Sequence, residues 1–130
     1  MVRYSVGWRM LETDIINYMQ VVEDKITIDE LKILANKIFG DLVKAVVDID
    51  KSILVVDSDL HSDEEAYLLE NGSKQENLWG INIYPELGMP DRIEFDSMIN
   101  IRPSQGNNSR SIDDPKTREK ILEIVSKKIS

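Results

Sequence analysis

Two alternating runs in the second half of the chain, residues 78–84 and 92–102, constrain the fold more than any other feature. Alternation marks a strand with one row of side chains in a core and the other at a polar surface. In the first run Trp79, Ile81 and Ile83 share a face; in the second, Ile93, Phe95, Ser97, Ile99 and Ile101 do. Pro85, Gly88 and Pro90 break the chain between them. The opposite rows are mostly polar: Gly80, Asn82 and Tyr84 in one, Glu94, Asp96, Met98, Asn100 and Arg102 in the other.

The rest of the chain supplies elements of both kinds. Thr27 and Glu30 form a capping-box pair before a helix over 28–39, whose stripe is Leu31, Leu34, Ala35 and Ile38. Residues 42–49 read as a strand, with 53–57 as its hairpin partner. A short helix is expected over 63–70, capped by Ser62 or Asp63 and stopped at Asn71-Gly72. Asp113-Asp114-Pro115 opens a last helix over 115–129, which buries Ile121, Leu122, Val125 and Ile129. This order predicts an α+β fold: a mainly antiparallel sheet of four to five strands, two main helices (28–39 and 115–129) and one short helix (63–70). Residues 19–130 read as a single domain. Residues 1–18 read as an N-terminal extension, because Met19 would make an ordinary start just before a strand and a helix cap.

Composition removes whole classes of chemistry. The 130 residues include no cysteine, which excludes disulfides, thiolate zinc sites and cysteine nucleophiles. His61 is the one histidine, so a two-histidine metal site cannot be built from one chain. No cofactor motif of the G-x-x-x-x-G-K or G-x-G-x-x-G type occurs, and no cofactor is expected. No apolar run approaches the ~18 residues of a membrane span, so no membrane association and a cytoplasmic location are expected. The net charge of -8 disfavours nonspecific nucleic-acid binding. That charge is uneven: residues 101–130 carry 7 basic and 4 acidic side chains, a local excess of positive charge.

Three groups of residues are candidates for a site. The first is the polar row Asn82, Tyr84, Glu94, Asp96, Asn100 and Arg102, which is either a solvated sheet face or a ligand surface. Asn is poor in strands, yet Asn82 and Asn100 sit mid-pattern between isoleucines, which points to hydrogen bonding by their side chains. The second is the loop from Arg102 to Arg110, with Gln105, Gly106 and Asn107. Its guanidinium groups suit phosphate or carboxylate; alternatively Arg102 pairs with Asp96 or Glu94 and the amides bond the turn. The third is the acidic run 57–65. Asp57, Asp59 and His61 alternate as in a calcium loop, but Ser62 stands where glycine is needed and Leu68 where glutamate is needed, so no metal is expected. His61, Glu64 and Glu65 remain candidates for acid–base work or for an ordinary helix start.

The segments 39–48, 60–65, 68–75, 78–85 and 99–107 together resemble a family of small, uncharacterised bacterial and archaeal proteins known only as a domain of unknown function. The resemblance runs from about Met19 to the C-terminus and implies no activity, cofactor or site residue. Two classes of function stay open. One is a small binding or regulatory module that holds an anionic ligand or an acidic protein segment at the polar sheet face and the Arg102–Arg110 loop. The other is a hydrolase or nuclease-like enzyme acting on phosphate esters or RNA, with Arg102 and Arg110 stabilising charge and His61, Glu64 or Glu65 as acid or base.

Overall fold

A computed structural model describes Val2, Arg3 and residues 19–130. The extension expected over 1–18 therefore lies outside the described residues, apart from Val2–Arg3. The elements are β1 (Val2–Arg3), β2 (Gln20–Val22), α1 (Ile28–Ile38), β3 (Val43–Asp48), β4 (Ile53–Ser58), α2 (His61–Glu70), β5 (Leu78–Ile83), β6 (Ile93–Glu94) and α3 (Pro115–Lys128). All described strands pair antiparallel in one sheet of order β1-β2-β4-β3-β5-β6. Five of these strands lie between Gln20 and Glu94; the two-residue β1 adds to the β2 edge. The α+β class is as the sequence predicts.

Local chemistry explains the helix ends. Thr27 Oγ1 accepts from the Glu30 backbone N–H at 3.0 Å, and Glu30 Oε1 accepts from the Thr27 N–H at 3.0 Å. This is the expected reciprocal cap. Asp114 caps α3 through the Lys116 N–H at 3.0 Å, with Pro115 at the first helical position. The short helix differs from expectation. It starts at His61 rather than Asp63, its cap residue is Leu60, and no side chain caps it.

The sheet is covered on both faces. On one, Val22, Ala45, Val47, Leu54, Val56, Trp79, Ile81 and Ile83 pack under Leu31, Leu34 and Ala35 of α1 and Ile121, Ile124 and Val125 of α3. On the other, Val46, Val55 and Leu78 pack against Leu68 of α2, with Tyr67 and Ile99 at the margin. Seven of these strand residues are valines or isoleucines, the near-continuous apolar composition of strands buried on both sides.

The expected strand over 92–102 is corrected. Only Ile93 and Glu94 pair with β5. The chain then leaves the sheet through short 3-10 turns at Met98–Asn100 and Pro103–Gln105. The reason lies in one side chain. Asn100 Oδ1 accepts from the Gly80 N–H at 2.8 Å and its Nδ2 donates to Gly80 O at 3.0 Å, so an amide side chain does for β5 what a neighbouring peptide would. Gly80 permits the approach: a Cβ there would stand 2.6 Å from Ser97 Cβ and Oγ. Ile99 consequently turns to the α2 side, and Ile101 is exposed rather than sharing a face with Ile93.

Candidate functional site

The Arg102–Arg110 loop is held by its own polar side chains. Asn107 Nδ2 donates to Asn100 O and Ser111 O, both at 2.7 Å, and its Oδ1 accepts from the Asp113 N–H at 2.9 Å. Gly106 turns the chain at φ 78, in the left-handed region. Gln105 accepts from Arg102 at 3.1 Å and donates to Glu76 O at 3.1 Å. These residues therefore join the loop to the start of β5.

Arg102 is the centre of that join, and its expected exposure is corrected. It is only 7% exposed. Its terminal nitrogens donate to Gln75 O and Leu78 O, and the guanidinium stacks 4.2 Å from the centre of the Trp79 ring. Glu65, a candidate acid–base residue, is half-buried and lends its negative charge to Arg102. The carboxylate expected for Arg102 falls to Arg110 instead, whose Nε lies 2.6 Å from Asp96 Oδ1. Arg110 lines a cleft with Lys44 and His61 to which Arg102 does not contribute.

The polar row is only partly covered: Asn82 on β5 is buried, Tyr84 just beyond it is half-buried, and Glu94 is exposed. Asn82 donates to Glu94 Oε1 at 2.8 Å and to Asp96 O at 3.2 Å. The Tyr84 hydroxyl donates to the same Glu94 oxygen at 3.0 Å. Loss of solvent, with Glu94 beside it, pushes that hydroxyl up to about 12.

The two remaining candidates, His61 and Glu64, stand in the first turn of α2, against the sheet. His61 is 6% exposed and its Nε2 lies 2.8 Å from Ile81 O. A carbonyl only accepts, so Nε2 carries the proton. Burial lowers the ring to about 4, against the Ile81 hydrogen bond, so it is neutral at physiological pH and Nδ1 is unprotonated. Glu64 is 0% exposed, and neither carboxyl oxygen has a partner of normal geometry among the described residues. Burial pushes it well above the usual carboxylate range, offset in part by the nearby Ser58 N–H. Asp57 sits one turn of chain earlier at a β-bulge between β3 and β4, with φ 74. Gln20 Nε2 donates to it at 2.9 Å and Lys37 Nζ approaches its other oxygen at 2.5 Å.

The start of α2, β3 and residues 97–99 enclose a cleft of about 190 Å³. Lys44 and Arg110 supply its two cations, and His61, Ser62 and Ser97 its other polar groups. Leu60, Met98 and Ile99 form the apolar wall. The Leu60 N–H donates to Ser58 Oγ at 3.3 Å, but no side chain caps α2, and the next backbone N–H with an acceptor among the described residues is that of Asp63, on Leu60 O. Uncapped N–H groups at a helix start and two side-chain cations favour an anion. A second cleft, of about 180 Å³, touches Gln105, Gly106 and Asn107, but Glu76, Asp113 and Asp114 line it too and make it unsuited to one. Among the described residues no group of three or more His, Asp or Glu side chains could hold a metal ion.

A family model described as a protein of unknown function matches residues 20–128 of the chain. The chain belongs to the DUF5674 family. No curated protein and no solved structure matches it. Among the described residues of this DUF5674 chain, no helix is long and apolar enough to cross a membrane.

Of the residues singled out from sequence, the cleft brings together His61 and Arg110. Asn82, Asn100, Arg102, Gln105 and Asn107 bond the protein itself. Sequence reasoning missed Lys44, Ser62 and Ser97 in the DUF5674 chain. Lys44 had a local signal, a single cation inside the apolar run of β3. The serines had none.

Proposed function

We propose that this DUF5674 chain is a small binding module, acting in the cytoplasm, that holds an anionic group in the cleft between the start of α2 and residues 97–99. One observation carries the reading: Lys44 and Arg110 line a single cleft at an uncapped helix start, in a chain of net charge -8. The anion site moves from the Arg102–Arg110 pair to Lys44 and Arg110, because Arg102 donates to backbone carbonyls.

The alternative, a hydrolase or nuclease acting on phosphate esters or RNA, has one observation in its favour. His61 shares the cleft with Arg110. Its ring, lowered to about 4, is a weak base. Glu64 is fully buried, and Ser97 Oγ is occupied by the Ile99 N–H at 3.3 Å. Binding without chemistry is the better reading.

The test is a thermal-shift titration with small anions at low and high salt. A ligand that binds only the folded chain raises the melting temperature. The rise should shrink with added salt, since the site is open to solvent. Lys44→Gln and Arg110→Gln should each weaken the response while leaving the unliganded melting temperature nearly unchanged. An unaltered response in both variants would rule this cleft out.

A further inference from the structure

Resting on that reading, we infer that the cleft takes a carboxylate attached to a compact apolar group, not a phosphorylated ligand. Charge is the first argument. Lys44 and Arg110 bring two positive charges, but Asp96 lies against Arg110 at 2.6 Å and offsets one of them. His61 adds none, because its ring is neutral. Glu94 also bears on Arg110. Two carboxylates thus bear on Arg110, and what is left for a ligand, Lys44 with the partial charge of a helix start, suits a monoanion at most. A phosphate monoester, near two negative charges at neutral pH, would set its second charge against Asp96 and Glu94.

The walls are the second argument. Leu60 and Met98 are 50% and 65% exposed, and both line the cleft beside the half-buried Ile99. Leu60 also occupies the cap position, where Ser, Thr, Asp or Asn would ordinarily bond the first N–H groups. One substitution of type thus has two consequences: it leaves the helix start without a side-chain acceptor, and it supplies apolar surface next to it. An anion with an attached aliphatic group uses both. Size is the third argument. About 190 Å³ falls below the roughly 300–1,000 Å³ of clefts that enclose drug-sized ligands, so a nucleotide is too large and a branched short-chain acid is suitable.

The experiment compares 3-methylbutanoate, acetate, 3-methylbutanamide, inorganic phosphate and phenyl phosphate with the full chain near neutral pH, by calorimetry and amide NMR. The expected result is that 3-methylbutanoate binds more tightly than acetate, that the neutral amide does not bind, and that both phosphates are weaker than 3-methylbutanoate. Lys44→Gln or Arg110→Gln should each weaken 3-methylbutanoate by about tenfold, the loss of one charge-assisted hydrogen bond. Met98→Ser, at an exposed position in the apolar wall, should erase the preference over acetate. Phosphate or phenyl phosphate binding more tightly than 3-methylbutanoate would overturn the carboxylate assignment and leave the anion cleft standing. Failure of every anion to bind, or binding indifferent to both cation variants, would overturn the two together. Equal affinity for acid and amide would overturn the role of charge.

Discussion

His61 and Glu64 stand about one turn apart on α2, and burial moves their proton affinities in opposite directions. Burial disfavours the charged form of each, so the imidazole falls to about 4 and the carboxyl rises. The consequences for stability are opposite in sign. For His61, whose folded value lies below its ordinary 6.5, the contribution is complete above 6.5 and is lost as pH falls toward 4. For Glu64, raised above its ordinary 4.5, the contribution is complete below 4.5 and is lost as pH rises through the folded value. His61 is the only histidine, so its ring proton resonances in NMR are unambiguous and should titrate near 4, well below an exposed imidazole. A midpoint above 6 would mean that the ring is solvated. Glu64→Gln should leave stability nearly unchanged at pH 4 and raise it at neutral pH. Above pH 4.5 the gain should grow by about 1.4 kcal/mol per unit until the folded carboxyl itself ionises. Urea unfolding of both proteins across this range checks it; a gain independent of pH would contradict the burial argument. At this scale the sequence was informative in one way. Two asparagines amid isoleucines predicted bonded amides, and Asn82 and Asn100 are bonded. What they bond to lies 12 and 20 residues away, beyond any local pattern.

The elements that were legible are those whose ends carry their own chemistry. The capping box at Thr27 and the Asp114-Pro115 start read correctly because caps act within one turn. The segment after Glu94 read wrongly because its alternation satisfies the strand pattern, while the pairing that would make it a strand is taken over by the Asn100 side chain. The close approach of residues 97–100 to β5 rests on Gly80. Gly80→Ala should cost about 1–3 kcal/mol, since the added methyl would meet Ser97 Cβ and Oγ at 2.6 Å. Ser97→Gly in the same chain removes both atoms and should recover part of the loss, a coupling that a double-mutant cycle in urea measures. Strict additivity of the two substitutions would show that the contact is not made.

For the molecule as a whole, the family model matches residues 20–128, and the sequence reads 1–18 as an extension ahead of an ordinary start at Met19. On that reading a chain beginning at Met19 should keep cooperative melting and its helix and strand content. Loss of the cooperative transition would show that the first 18 residues complete the core. The sequence by itself determined the class of fold and the spans of α1, β3, β4, β5 and α3 to within one residue or so. Their periodicities and caps are set by neighbours a few positions apart. It also excluded thiol chemistry outright, because the chain has no cysteine. Tertiary structure alone decided that α2 and residues 97–100 cover the second face of the sheet. It also decided that Arg102 is buried over Trp79 and that Lys44, His61 and Arg110 line one cleft. A polar row has the same pattern whether water or protein completes its hydrogen bonds, and only the fold brings the distant carbonyls, carboxylates and amides that replace the water.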